Sequence, residues 1–343
     1  MKIVIANQFH SDNLGDKLIG EALRTFFNKK KVEVVLAGFA QTNEQVVSFD
    51  DKRKKSRIKA FFKKITPNFI KFLIKYKNNV YNESIKVSLK HADALVLGGG
   101  QLLCHNNVFA YCFLYWTLLA KRHNVPVFVH GIGVNDNLDF LEKSIFKLAL
   151  SMAKYINCRD ISSKEYIREI INKDIFVSPD VVFSMDLSTE VSDNESILIM
   201  PYNYDTAFRH FKSFDSRKEY YKMVYDDINN ENKVILSATT SDDLEECKYL
   251  KEYLDKRGIS CLVYHASNVH ELLKCYGMVK TIYTGRMHGL ILGMILGKRV
   301  RPILISRKLE DFSNQYLEKP CDISALKLES IKGLETLYRL INL

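Results

Sequence analysis

The stretch Thr281-Ile282-Tyr283-Thr284-Gly285-Arg286-Met287-His288-Gly289-Leu290-Ile291-Leu292-Gly293-Met294-Ile295-Leu296-Gly297 decides how the chain is read. A short β-type apolar run enters a glycine, and an arginine and a histidine follow at once. The next residues are too rich in Leu, Ile, Met and Gly to face water at helical spacing. The pattern predicts a strand, a tight turn at Gly285 and a buried helix, with Arg286 and His288 at the turn. In an open parallel sheet such a turn lies at the carboxyl edge of a strand, where ligands bind. The helix N-terminus favours an anion there. Arg286 adds a planar fork of donors suited to carboxylate or phosphate. His288 can exchange a proton near neutral pH.

Working outward, the second half repeats this alternation. Strands are expected at 196–200, 234–237, 261–264, 281–283 and 300–304, and helices near 216–230, 242–257, 268–276 and after His288. The tail, 329–343, reads as one more amphipathic helix. The first half alternates likewise. Strand 2–6 leads through the polar turn Asn7–Asp16 into a helix at 17–30, then strand 32–37. Later strands run into Gly98-Gly99-Gly100-Gln101, His130-Gly131-Ile132-Gly133, Arg159-Asp160 and Pro179-Asp180. Glycines at a strand end let backbone N–H groups approach a ligand closely, which makes Gly99, Gly100, Gln101, His130, Gly131 and Gly133 binding candidates. The polar run 186–195 reads as a linker. The expected architecture is α/β: two Rossmann-like domains, 1–185 and 186–343, facing a cleft as in GT-B enzymes. No GxGxxG, Walker loop or nucleophile elbow is present.

Composition narrows the function classes. The 343 residues are 47% hydrophobic and carry a formal charge of +10. Eleven Lys or Arg and no Asp or Glu fall between Lys52 and Lys77. This excess sits in an insert, about 50–90, where aromatic and aliphatic residues interleave with lysines. A solvated helical face and contact with an anionic membrane surface both fit that pattern. No RNP motif, helix-turn-helix or zinc finger accompanies it, so nucleic acid is not an expected partner. The seven cysteines form no CxxC pair, which points to reduced, buried thiols rather than a zinc ribbon or disulfide framework. His288 has no second ligand at metal spacing, so no metal is expected. No apolar stretch spans a bilayer and no signal-type segment opens the sequence. The expected location is cytoplasmic, with peripheral attachment to the inner face of a membrane as the variant that the basic insert suggests.

Six landmarks occur in order: Asn13-Leu14-Gly15-Asp16, Gly98-Gly99-Gly100, Gly131-Ile132-Gly133, Cys158-Arg159-Asp160-Ile161-Ser162-Ser163, Ser178-Pro179-Asp180 and Gly285-Arg286-Met287-His288-Gly289-Leu290. In this order the chain resembles the polysaccharide pyruvyl transferase family over roughly residues 1–310. Met287 stands where the family usually has Leu, the usual proline after the buried helix is missing, and the basic insert is unusually long. The resemblance implies transfer of the enolpyruvyl unit of phosphoenolpyruvate onto a sugar as a pyruvate ketal, with no resident cofactor. The acceptor would be a polysaccharide sugar or its lipid-linked precursor. His288 would be the acid, Asp16 the base, or the two exchanged. Arg286 and Arg159 would hold phosphate and carboxylate, and Lys308 would offset the charge of the leaving phosphate. Asn13 and Gly285 would line the site. His130 and His105 are outlying candidates for substrate contact, and His10, in the first turn, is a candidate for supporting the residues that make contact.

Two other readings share these features. One is a nucleotide-sugar glycosyltransferase of the same architecture. The other is a non-catalytic, membrane-associated sugar-binding scaffold on the same fold. The oligomeric state is not legible.

Overall fold

A computed structural model describes residues 1–40, 68–105, 107–134, 138–189, 196–211, 214–228, 233–318 and 321–343. Of the basic segment 52–77, residues 52–67 lie outside the described residues, as do 190–195 of the expected linker. Contacts divide the chain into two units. The first holds Met1–Ser11, Ile19–Val181 and Glu329–Leu343; the second holds Asp12–Leu18 and Val182–Leu328. The sequence expectation put the division at 185 and gave the whole C-terminal helix to the second domain. Instead, Glu329–Leu343 packs into the first unit. Ser330 donates to the Asp180 carbonyl (3.1 Å), and a Cβ at Gly333 would meet the Ser178 Oγ at 2.5 Å.

The first unit is built on a six-stranded parallel sheet, ordered β2-β1-β3-β4-β5-β6. Its strands are β1 (Lys2–Asn7), β2 (Glu33–Gly38), β3 (Ala94–Leu103), β4 (Val127–Val134), β5 (Tyr155–Cys158) and β6 (Phe176–Val177). Near-continuous apolar runs form them because helices cover both sides of such a sheet. Those helices are α1 (Leu14–Lys29), α2 (Asn68–Lys86), α3 (Asn107–Arg122), α4 (Phe140–Ser151) and α5 (Ile161–Ile170). Trp116, Phe113, Phe146 and Phe39 fill the core beneath them.

Two strands differ from expectation. β3 runs through Gly98-Gly99-Gly100 to Leu103 instead of ending there, and its register with β4 shifts between Gly100 and Leu103. β4 likewise runs through His130–Val134. The glycines are where two backbones crowd together. A Cβ on Gly98 would lie 2.0 Å from the His130 carbonyl oxygen. One on Gly99, whose φ is +76°, would lie 1.9 Å from the Ile19 Cγ2. Packing thus gives a reason for glycine at both positions without a ligand.

The second unit has a five-stranded parallel sheet, β11-β10-β7-β8-β9. The strands are β7 (Ile197–Met200), β8 (Val234–Leu236), β9 (Cys261–Val263), β10 (Thr281–Thr284) and β11 (Arg299–Pro302). The helices are α6 (Tyr204–Phe211), α7 (Arg217–Ile228), α8 (Ser241–Asp255), α9 (Val269–Gly277), α10 (Met287–Ile295) and α11 (Arg307–Tyr316). A last helix, α12 (Ile323–Ile341), follows. α10 is the buried helix expected after His288. It packs unusually close to the sheet: a Cβ on Gly289 would sit 2.8 Å from the Met200 Cε, and one on Gly293 2.4 Å from the Val300 Cγ1. The helices α6 and α11 had no counterpart in the sequence reading.

All seven cysteines are thiols outside any disulfide, and five are buried. Among the described residues no helix is long and apolar enough to cross a membrane.

Candidate functional site

In the second sheet the chain runs β7-β8-β9 in one direction and then returns to β10 and β11 on the other side of β7. β7 and β10 are therefore the pair at which strand order reverses, the position where open α/β sheets bind ligands. Arg286 follows β10 and Tyr202 follows β7. The Arg286 guanidinium carbon lies 3.8 Å from the Tyr202 ring centroid, a stacking contact of cation and aromatic face.

Asp243 completes the arrangement. It sits in the first turn of α8, just after the loop that follows β8, and it is fully buried. Its Oδ2 accepts from Arg286 Nε and its Oδ1 from Arg286 Nη2, both at 2.7 Å. This two-point pair is the strong form of the arginine–carboxylate contact. Oδ1 also accepts the Asn203 backbone N–H at 2.9 Å. Thr240, the N-cap of α8, accepts from the Asp243 N–H and reaches Arg286 Nη2 at 3.4 Å. Burial pulls the Arg286 pKa down, but the Asp243 charge and hydrogen bonds outweigh it and raise the net value. The sequence reading missed both Asp243 and Tyr202: each follows a strand of the same parallel sheet, but only the fold shows that they meet Arg286.

The segment 12–18 belongs to this rim. Asp12 Oδ2 accepts from the Ser241 N–H (2.9 Å) and hydroxyl (2.6 Å), and Leu14 N–H donates to the Thr239 carbonyl at 2.9 Å. Burial raises the Asp12 pKa, but the two Ser241 hydrogen bonds and the Arg286 charge more than reverse it. Asn13 Oδ1 accepts the Gly15 N–H at 2.9 Å and so shapes the entry to α1. Gly15 faces His288 directly: a Cβ there would lie 2.5 Å from His288 Nδ1. Asp16, half-buried in the first turn of α1, adds its field to Arg286. The structure thus brings Asn13, Asp16, Gly285, Arg286 and His288 into one unit, all five of them sequence-derived candidates, from two ends of the chain.

Charge at this rim differs from the sequence expectation. Arg286 is ringed by Asp243, Asp12 and Asp16, so it is not an isolated clamp for an anion; Nη1 is the nitrogen left outside the Asp243 pair. The anion-favouring features are backbone ones. The N-caps of α10 (Arg286) and α11 (Ser306) make no side-chain capping bond, whereas those of α8 (Thr240) and α9 (Asn268) do. Uncapped N-termini attract negative charge. α11 opens with Arg307 and Lys308, and Ile305 beside them lies 3.5 Å from where a Gly285 Cβ would be.

The remaining candidates lie in the first unit. Arg159 is almost fully buried. Its Nη1 donates to Asp180 Oδ2 at 3.2 Å, while Nη2 is buried and makes no hydrogen bond. Its guanidinium lies on Gly133, where a Cβ would meet Nη2 at 2.7 Å. His130 is wholly buried, and burial pushes its pKa down to about 4 against the opposing Asp180 charge. Asn157 Oδ1 accepts the Gly131 N–H and the Ser178 hydroxyl. Gln101 is half-buried beyond the glycines of β3. The His10 ring lies against Phe9, tilted by 38° with centroids 3.7 Å apart, and its Nε2 is 3.9 Å from Glu83. His105, Asp139 and Glu142 form the one group at metal-ligand spacing among the described residues. Glu142 Oε2 is already taken by His105 (2.9 Å) and the Asp139 N–H (3.0 Å), and Asp139 and Glu142 cap α4 reciprocally. A capping box accounts for this cluster.

The polysaccharide pyruvyl transferase family profile matches residues 13–307. No curated protein matches the chain. Among solved structures, UDP-GlcNAc 2-epimerase from Neisseria meningitidis, bound to UDP-GlcNAc, is similar with a TM-score of 0.56 at 11% identity, covering 99% of this chain and 100% of that one. The Methanocaldococcus jannaschii UDP-GlcNAc 2-epimerase, in complex with UDP-GlcNAc and UDP, gives 0.54 at 14% identity, with 99% of each chain covered. At such identities the likeness shows the fold, two parallel-sheet α/β domains of the GT-B kind.

Proposed function

The chain belongs to the polysaccharide pyruvyl transferase family, and from that premise we propose that it transfers the pyruvyl unit of phosphoenolpyruvate onto a sugar of a polysaccharide or of its lipid-linked precursor. The observation that carries the reading is the uncapped N-terminus of α10, at the strand-order reversal, bearing Arg286 and His288.

In this reaction the donor methylene gains a proton and becomes a methyl group. C2 then accepts two sugar oxygens, the bond from C2 to the phosphate ester oxygen breaks, and inorganic phosphate leaves. One hydroxyl proton balances the new methyl group and the other leaves on phosphate. The residues fit the requirements in separate ways. The N-termini of α10 and α11, with Lys308, suit a phosphate. Arg286 stays oriented by Asp243 and offers Nη1. To His288, packed on Gly15, we assign proton delivery to the methylene, and to Asp16 proton removal from a hydroxyl.

The test is thermal unfolding with phosphoenolpyruvate, for the native chain and for Arg286→Ala. A ligand at 100 times its dissociation constant adds about 2.7 kcal/mol of stability. Stabilisation of the native chain that disappears in the variant supports the reading. Stabilisation by UDP- or GDP-sugars, with none by phosphoenolpyruvate, replaces it with the glycosyltransferase reading.

A further inference from the structure

Helices α2, α3 and α4 carry the chain from β2 to β3, β3 to β4 and β4 to β5. All three crossovers run in the same direction across the sheet. Right-handed connections therefore place these helices on one face, and α2 packs on α3 and α3 on α4. Their outward surface has an unusual charge pattern. The three helices contain only two acidic residues, Glu83 and Glu142. Both point inward. Glu83 is 7% exposed and accepts the Gly38 N–H; Glu142 is fully buried in the α4 capping box. Among the described side chains of these helices the exposed charges are all cationic: Lys75, Lys77 and Lys86 (the last 3.7 Å from Glu83) on α2, Lys121 and Arg122 on α3, and Lys147 on α4; the exposed acid at the edge of the layer is Asp139, the N-cap of α4.

Apolar side chains stand among these cations. On α2, Ile74, Tyr81 and Ile85 are 54%, 48% and 59% exposed. Their spacing of seven and four residues puts them on one stripe of the helix. Lys77 falls on one side of the stripe and Lys75 and Lys86 on the other, while Tyr76, Val80 and Glu83 face the core. Leu118 on α3 and Leu141 and Leu148 on α4 are also exposed. An apolar stripe flanked by lysines, with no outward acid, is the arrangement of a helix that lies in a membrane interface.

We infer that the outer face of the α2–α3–α4 layer docks on an anionic lipid surface, with Ile74, Tyr81 and Ile85 at the headgroup boundary and the flanking lysines on the lipid charges. Charge complementarity selects this occupant. A second copy would oppose one cationic face to another, and a nucleic acid would leave the apolar stripe without a partner. The inference stands apart from the identity of the donor substrate.

The experiment is co-sedimentation of the full chain with vesicles of phosphatidylcholine containing 30 mol% phosphatidylglycerol, against phosphatidylcholine alone. The native chain is expected to bind the anionic vesicles, to be released by high salt, and to ignore neutral vesicles. Each lysine near the surface is worth roughly fivefold in binding. Lys75→Gln/Lys77→Gln/Lys86→Gln should therefore weaken it by about a hundredfold. Ile74→Asp/Ile85→Asp should weaken it as well. Both sets are exposed, and an unchanged circular dichroism spectrum and melting temperature confirm that they fold. Absence of binding by the native chain overturns the inference, as does equal binding to neutral vesicles. Native-like binding by both variants also overturns it and moves the contact to another segment, such as 52–64. So does a dimer, seen by light scattering, that Ile74→Asp/Ile85→Asp disperses. Binding to a single-stranded oligonucleotide but not to vesicles overturns it in favour of nucleic acid.

Discussion

Asp243 grips Arg286 with both carboxylate oxygens, 2.7 Å from Nε and from Nη2, while the Tyr202 ring backs the guanidinium at 3.8 Å. The pair joins the loops after three strands, β7, β8 and β10. Arg286 therefore has a fixed orientation before any ligand arrives. A pre-set donor loses less entropy on binding than a free one.

Removing one partner should expose this. Asp243→Ala leaves Arg286, 19% exposed, without its two-point partner and with only the charges of Asp12 and Asp16 around it, which should cost about 3 kcal/mol in urea unfolding. Arg286→Met added to Asp243→Ala should recover part of that loss, because the orphaned charge disappears with it. Neither variant should be stabilised by phosphoenolpyruvate. A double variant no more stable than the single one would mean that the pair is not coupled.

Gly15 leads to a second expectation. A methyl group there would stand 2.5 Å from His288 Nδ1, closer than any real contact. In Gly15→Ala the imidazole has to move, because the helix backbone carrying the new Cβ is the stiffer party. Stabilisation by phosphoenolpyruvate should fall in Gly15→Ala and in His288→Ala alike, and the His288 ring resonances should shift by NMR in the former. Unmoved resonances would show that the backbone gives way instead.

These relationships also show what could be read beforehand. Alternating apolar strands and helices gave the parallel sheets, because strands buried on both faces leave continuous apolar runs. The turn that carries Arg286 and His288 was legible because an apolar run entering a glycine, followed by a run too apolar to face water, reads as strand, turn and buried helix. Asp243 was not: in Thr240-Ser241-Asp242-Asp243 it looks like an ordinary acidic first turn, and only the fold shows that it faces Arg286, 43 residues on. The grouping of 12–18 with the second unit rests on Asp12–Ser241 contacts across 229 positions, and that of 329–343 with the first on Ser330–Asp180 across 150. No periodicity records such distances. The glycines of β3 are ambiguous for another reason: close packing and ligand approach both call for glycine, and the sequence alone does not separate them.

Gly99 separates them by experiment. With φ at +76° and Ile19 Cγ2 1.9 Å from the absent Cβ, Gly99→Ala combines left-handed backbone strain with overpacking, for a loss of about 3 kcal/mol in urea unfolding. Gly99→Ala with Ile19→Ala should regain the overpacking share, because the clashing methyl is gone. A Gly99→Ala chain of native stability that fails to bind substrate would restore the ligand reading for this glycine.

His130 sets a pH dependence whose direction is fixed by its burial. In the folded chain its pKa is held down to about 4, from an ordinary value of 6.5, because the interior disfavours the imidazolium more than Asp180 favours it. Between those values the unfolded chain takes up a proton that the folded chain refuses. Stability is therefore complete above about pH 6.5 and is lost as the pH falls towards 4. At about 1.4 kcal/mol per pH unit, the gap is worth about 3 kcal/mol. His105 works in the opposite sense: its hydrogen bond to Glu142 raises its pKa, so its contribution is present at low pH and lost as the pH rises, and its exposure keeps that contribution small. His130→Gln, neutral at every pH, should flatten the loss between pH 6.5 and 4 and leave the His105 part in place. Urea unfolding of both chains at half-unit pH steps measures the difference. Parallel curves would mean that His130 takes up its proton in the folded state, despite the Tyr155 ring stacked on it and the α12 backbone at Gly333 beside it.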